Sequence, residues 1–389
     1  MVAALLAVAA APAAAGERPA LVVAVDEGDP RELARALRRA TPADLDAYDD
    51  QVGSPTAGLR PIEVAAKRGD AAAVDALLKA GAQATARALE LAAGRGQLVT
   101  VRRLRAHGAP GADLALTAAA RAGKRAVVDF LLAGGATLEA ADRDGLTPLL
   151  AATGGGHAAI AIRLLAAGAD PRPITQRGES IWTLLIQGDK PARSPLFAAL
   201  VKAKVPIDLA NNDGETGLMV AAARGDRAWV TRFIAGGASP TARAADGRVA
   251  LDYALDCGLT ASRWSPSGGT CRGDIARALL AGPRPALGQP DGEQRTPLMR
   301  AIMTKDRELV RRLLALAPED ARVDRSGSNA LHYAAAFADL ETMRRLLAGK
   351  VAGAGAIDAV NQRGESPRSI AIDNHRPAID AALVAAGAK

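Results

Sequence analysis

The sequence predicts an all-α solenoid of about eleven helix-turn-helix units with short β-hairpin fingers. Three observations carry this. First, one unit recurs. Aligned on a single position it falls at Ala20, Pro61, Ala88, Ala115, Pro148, Ile181, Gly217, Ala250, Pro297, Ala330 and Pro367, and four of the ten steps equal 33 residues. Second, most units hold two short apolar helices with a break between them and a Gly-Ala stop after the second, at Gly81, Gly108, Gly135, Gly168, Gly237 and Gly387. Glycine there permits the left-handed turn that ends a helix. Third, the 389 residues are 49% hydrophobic but only 3% aromatic. The core is therefore mostly Ala, Leu, Val and Ile, which suits short helices packed closely. Stacked units bury their apolar faces on their neighbours, so length alone does not divide the chain into separate domains.

The clearest copy is Asp142 to Asp170, DRDGLTPLLAATGGGHAAIAIRLLAAGAD. Asp144-Gly145 makes a turn. Thr147 caps a helix whose first position is Pro148, a residue that fits there because its missing N–H has no intrahelical partner. Gly156-His157 separates this helix from the next, and Gly168-Ala169 ends the second. The stretch resembles the ankyrin repeat, whose signature is D-x-x-G-x-T-P-L-H-x-A-A-x-x-G-H-x-x-I-V-x-x-L-L-x-x-G-A and whose period is near 33 residues. The resemblance covers about residues 17 to 389, with weaker outer units.

The remaining units follow in order. Residues 18–40 form a degenerate first unit in which Asp29-Pro30 starts the second helix. A Pro/Asp/Gly-rich connector runs from Thr41 to Leu59, and the unit on Pro61 is typical. The units on Ala88 and Ala115 follow steps of 27 residues, so a finger is missing from each, and about residues 84–140 should be bare helix pairs. From Asp142 the fingers return, with tips DRDG, QRGE, NNDGE, ADG, DGEQ, RSGS and NQRGE, each expected to hold a glycine at positive φ. The unit on Ile181 carries two prolines before its outer helix and has Lys204 at its stop, which predicts an irregular link. The unit on Ala250 holds an insert, rich in Ser, Gly and Pro, bracketed by Cys257 and Cys271.

The amino terminus, MVAALLAVAAAPAAAG, pairs an apolar core with a small-residue end at Ala13-Ala14-Ala15, but has no Lys or Arg before the core. Residues 1–15 are read as a cleaved export signal, with an uncleaved anchor or a first helix as alternatives. No other stretch is long and apolar enough to span a membrane. The expected location is periplasmic or secreted. In such a compartment Cys257 and Cys271, the whole cysteine content, are expected to form a disulfide.

Composition and motifs argue against catalysis. The formal charge of +7 is spread out, without the basic arm of a nucleic-acid binder. It reads as a soluble basic surface, the alternative being a preference for acidic protein or anionic lipid. The four histidines, His107, His157, His332 and His375, fall at or beside repeat positions. The resemblance implies that His332 ties neighbouring hairpins together. Gly154-Gly155-Gly156 lacks the lysine of a phosphate loop. The tip acids are turn formers without the ordered ligand run of a calcium loop. No catalytic, metal or cofactor residues are predicted.

The resemblance implies a concave binding face built from fingers and inner-helix ends. Residue by residue this points to a basic stripe of Lys67, Arg68, Arg95 and Arg121, open where fingers are missing. It also points to Arg224, and to Met303 and Phe337 as an apolar pair on neighbouring repeats. The implied function is non-catalytic binding of a protein partner by a monomer in the cell envelope. One alternative is an accessory or immunity protein dedicated to one enzyme or toxin. The other is an enzyme using the 257–271 insert.

Overall fold

The computed structural model describes residues 18–187, 193–256, 273–281, 287, 290–316, 322–349 and 356–389. Residues 1–15, Cys257, Cys271 and most of the irregular link in the unit on Ile181 lie outside the described residues. Among the described residues the secondary structure is all-helical, with twenty-three helices and no strand. None is long and apolar enough to cross a membrane.

Helices begin where the alignment places them, or slightly earlier. The inner helices on Pro61, Pro148, Ile181, Gly217, Ala250, Pro297, Ala330 and Pro367 start at those residues. The two after the 27-residue steps start at Ala86 and Ala112, because Thr85 and Gly111 take the cap positions. Thr147 Oγ accepts from the Leu150 N–H at 3.4 Å, and Thr85 Oγ from the Ala88 N–H at 3.0 Å. In six units the position of the family's TPLH histidine is a capping position. Its side chain bends back to accept the N–H of the cap residue. Glu63 accepts from Arg60 at 3.0 Å, Asp252 from Val249 at 2.9 Å, His332 from Asn329 at 3.1 Å and Ser369 from Ser366 at 2.9 Å. Even Met219 and Met299 place sulfur 3.4 Å from the cap N–H.

Contacts divide the chain into two compact units. The described part of the first runs from Arg18 to Arg177 and includes Gln187 and residues 193–203. The second comprises Gly178–Ile186 and the described residues from Lys204 onward.

In the first unit, inner helices Pro61–Arg68, Ala86–Arg95, Ala112–Arg121 and Pro148–Gly154 pack side by side, each burying alanines such as Ala65, Ala92, Ala119 and Ala151. Small side chains let the backbones approach closely. Bonds to the preceding inner helix also come from the start of an outer helix. Gln97 Nε2 donates to the Lys67 carbonyl at 3.3 Å, and His157 Nε2 meets the Arg121 carbonyl at 3.0 Å. His157 is thus an interface tie. The connector is pinned by Asp49, which is fully buried and accepts from Ser54 Oγ at 2.6 Å, Thr56 Oγ1 at 2.5 Å and the Gln51 N–H at 3.1 Å, with Arg18 Nε at 3.3 Å. Burial pushes its carboxyl up, but the hydroxyls, the N–H and Arg18 together hold it below the usual carboxylate range.

In the second unit the core is larger-grained. Trp182 is fully buried, meets Phe233 edge-on with centroids 5.6 Å apart, and donates from Nε1 to the Pro206 carbonyl at 2.7 Å. Gly217 stands where other units have proline, and the reason is space. A Cβ there would sit 2.4 Å from Phe233 Cζ. Lys204, at the stop of helix Arg193–Lys202 in the first unit, takes the left-handed conformation (φ 57°) that other stops give to glycine, at a cost of about 1–2 kcal/mol. The second unit also holds a buried ion pair that links consecutive inner helices. Arg300 Nη2 lies 2.5 Å from Asp252 Oδ1, with both side chains at most 3% exposed.

The fingers are tight turns closed by two backbone bonds, as from the Asp142 N–H to the Leu146 carbonyl (3.1 Å) with the Gly145 N–H to the Asp142 carbonyl (3.0 Å), and from the Asn361 N–H to the Glu365 carbonyl (2.9 Å) with the Gly364 N–H to the Asn361 carbonyl (2.9 Å). Neighbouring fingers within a unit share one bond, as from the Gln362 N–H to the Ser326 carbonyl at 2.8 Å. The N–H groups that would complete a strand pair, those of Leu146 and Glu365, go instead to the Asp142 and Asn361 side chains at 3.0 Å, and the expected β-hairpins are not borne out among the described residues, which hold no strand. A second correction concerns the DGEQ tip. The residue at positive φ there is Gln294 (φ 62°), because Gln294 and not Gly292 occupies the position of Gly327.

Candidate binding surface

The predicted site residues fall into two groups, one in each unit. In the first, Lys67, Arg68, Arg95 and Arg121 all stand on the last turns of inner helices. Three of them are engaged within the chain. Lys67 Nζ donates to the Pro55 carbonyl at 2.7 Å. Arg68 lies against Asp26, bonding its carbonyl and standing 3.8 Å from its carboxylate. Arg121 is paired with Asp142 and stands 3.8 Å from Asp144, both on the finger of the next helix pair. Arg95 is exposed and has no such counter-ion among the described residues.

In the second unit, Arg224 and Met303 are half-buried, while Phe337 is 38% exposed at the end of helix Ala330–Phe337. Phe337 lines a groove of about 320 Å³ between this helix, helix Pro367–Asp373 and the two flanking fingers. Its apolar wall is Tyr333, Ala336, Phe337 and Ile370, with the two aromatic rings 6.4 Å apart and inclined by 30°. Its polar rim includes Ser326, Asn361, Arg363, Glu365 and Asn374. Met303 does not line this groove, so the structure places only one member of the apolar pair here.

The groove is held rigid from beneath. Asp324 is buried. It accepts from Tyr333 Oη at 2.7 Å, from Ser326 Oγ at 2.6 Å and from the N–H groups of Ser326 and Ser328 at 2.8 and 2.9 Å. Burial opposes its ionisation, yet these donors hold its carboxyl below the usual range. Burial first, then the Asp324 bond, pushes the Tyr333 phenol up, so it stays a neutral donor. At the floor, His332 Nε2 reaches the Glu365 carbonyl at 3.1 Å, which ties two successive helix pairs. Burial depresses the imidazole pKa and keeps it neutral. Arg363 stands exposed on the rim without an ion pair among the described residues. Tyr333 was missed in the sequence. Its one signal is that a large aromatic directly follows the TPLH-position histidine, where most other units have small or aliphatic residues and only the units on Ala250 and Pro297 depart, with Tyr253 and Arg300.

Comparison with known proteins agrees with this architecture. A family model for ankyrin repeats matches residues 89–175, 268–355 and 298–388, more than half of the chain. No curated protein matches it.

Proposed function

The chain belongs to the ankyrin-repeat family, a family of protein-protein interaction modules, and from that premise we propose that it binds a protein partner through the groove of its second unit. The observation that carries this is the exposure of Phe337. The other aromatics described in this unit, Trp182, Trp229, Phe233, Tyr253 and Tyr333, are buried or half-buried. Phe337 instead spends its apolar surface on an open groove whose walls are locked by the Asp324 network. A preorganised aromatic in a groove with a polar rim has the character of an interface anchor. The imidazole in its lining, His332, has both ring nitrogens engaged, with the Glu365 carbonyl and the Asn329 N–H, which favours the reading of binding without catalysis.

Phe337→Ala is expected to weaken partner binding roughly thirtyfold, the cost of losing a hot-spot side chain of about 2 kcal/mol. Titration calorimetry against the partner crosslinked and recovered from the native compartment checks this. An unchanged affinity, with the thermal midpoint also unchanged, would remove the groove from consideration.

The same proposal places the protein in the cell envelope, with residues 1–15 removed and Cys257 bonded to Cys271. That bridge would stabilise by roughly 3 kcal/mol in the chain-entropy account. The intact mass of protein purified from its source tests both points at once. It should lack residues 1–15 and the mass of two hydrogen atoms, and a full-length reduced mass refutes both.

A further inference from the structure

The counter-ions of Arg121 show what a finger does to the helix end beside it. Asp142 and Asp144 sit on the turn within the link 134–147, which leads from helix Arg125–Ala133 to the next inner helix. Asp142 is fixed in place, accepting from the N–H groups of Asp144 at 2.9 Å and Leu146 at 3.0 Å. The turn therefore delivers two carboxylates to the cation on the preceding inner helix.

The two preceding links carry no such turn. Helix Ala71–Lys79 reaches helix Ala86–Arg95 through residues 80–85, and helix Leu98–Ala106 reaches helix Ala112–Arg121 through residues 107–111. Neither link contains an acidic residue. The helix ends they serve are nonetheless cationic. Arg95 is exposed without a counter-ion among the described residues. Lys67 finds only a neutral carbonyl, which leaves its charge uncompensated. Lys124 adds a third cation. Its methylenes lie over Gly96, directly after Arg95, where a Cβ would come within 2.7 Å of Lys124 Cδ. Lys124 likewise has no ion pair among the described residues. Cations thus stand at these helix ends without the finger acids that neutralise Arg121.

We propose that the finger-free stretch of the first unit is a docking site for an acidic turn or extended segment of a partner protein, which occupies the place of the missing fingers and supplies carboxylates to Arg95, Lys67 and Lys124. The pairing of Arg121 with Asp142 and Asp144 is the intramolecular pattern for it. The site is separate from the groove at Phe337 and does not depend on it. Charge complementarity of this kind acts on association rate and on choice of partner as much as on affinity.

The test uses the full chain and a short labelled peptide rich in Asp and Gly, of the composition of the 142–145 turn, with fluorescence anisotropy as the readout. Binding is expected to weaken steeply with salt. Arg95→Glu should weaken it about tenfold, since one like-charge juxtaposition in an interface costs at least that much. Arg344→Glu makes the same change in net charge on the exposed face of helix Leu340–Ala348 in the second unit, and should leave binding unchanged. Both sites are exposed, and far-UV circular dichroism verifies that both variants are folded. Equal weakening by the two variants overturns the proposal, because attraction would then follow net charge and not this site. A DNA duplex that binds as tightly as the peptide and is weakened by Arg95→Glu overturns it as well, because the site would then serve nucleic acid. Because the probe is a defined peptide, its failure leaves the Phe337 groove untouched, and failure of the groove leaves this result standing.

Discussion

Arg300→Met is expected to destabilise the second unit by about 3–5 kcal/mol, among the largest effects any single substitution in the chain should produce. Arg300 and Asp252 are the most deeply buried opposite charges in the described structure, and they approach to 2.5 Å. Asp252 also accepts the cap N–H of Val249, and its carbonyl takes Arg300 Nη1 at 3.2 Å. Removal of the guanidinium leaves a carboxylate in a site nearly free of water. The loss is mainly the cost of that orphaned charge and only in part the worth of the pair. The double variant Asp252→Leu/Arg300→Met should therefore recover most of the stability, because apolar replacement of both partners is often neutral. Denaturant titration of the two variants decides this. Equal losses in single and double variants would show that the pair is itself the source of stability.

Trp182→Ala is expected to cost about 3–5 kcal/mol, the usual range for truncation of a buried large aromatic. Trp182 is fully buried, its ring meets Phe233 edge-on, and its Nε1 satisfies the Pro206 carbonyl. Three losses follow together: apolar burial, an aromatic contact of about 0.5–1.5 kcal/mol, and a carbonyl left without its donor. Gly217 cannot compensate, because any added side chain would meet Phe233 before it filled the space. A fall in the urea midpoint at constant slope is the expected signature. A loss below about 1 kcal/mol would mean that the surrounding helices close over the cavity.

Much of this was legible from sequence because turn and cap chemistry is local. Thr-Pro fixed the start of helices at Pro148 and Pro297, and Gly-Ala fixed ends at Gly81 and Gly168. What escaped reading was chemistry between units. The salt bridge of Arg121 to Asp142 joins residues that sequence reading had assigned separately, one to a basic stripe and the other to a turn. The Asp252–Arg300 pair had a visible signal. Asp252 holds the TPLH histidine position and Arg300 the position after it in the next unit, where the corresponding residues of the clearest copy are Leu150 and Ala151. An acid and a base replacing apolar core residues in consecutive units is a pairing pattern. The groove at Phe337 was half visible, since its helix-end residues follow the repeat, whereas the Asp324 support beneath Tyr333 depends on how one finger folds back on its own helix.

The uneven placement of indole rings has a practical consequence for spectroscopy. All three tryptophans follow residue 181, so the first unit up to Arg177 has none. Trp182 and Trp229 both contact Phe233, with centroids 5.6 and 6.2 Å apart. Two of the three indoles that emit therefore report on the neighbourhood of one phenylalanine in the second unit. Far-UV ellipticity, by contrast, sums over the helices of both units. Where the two optical transitions diverge, they separate the melting of one unit from that of the other, and a single two-state fit would merge them.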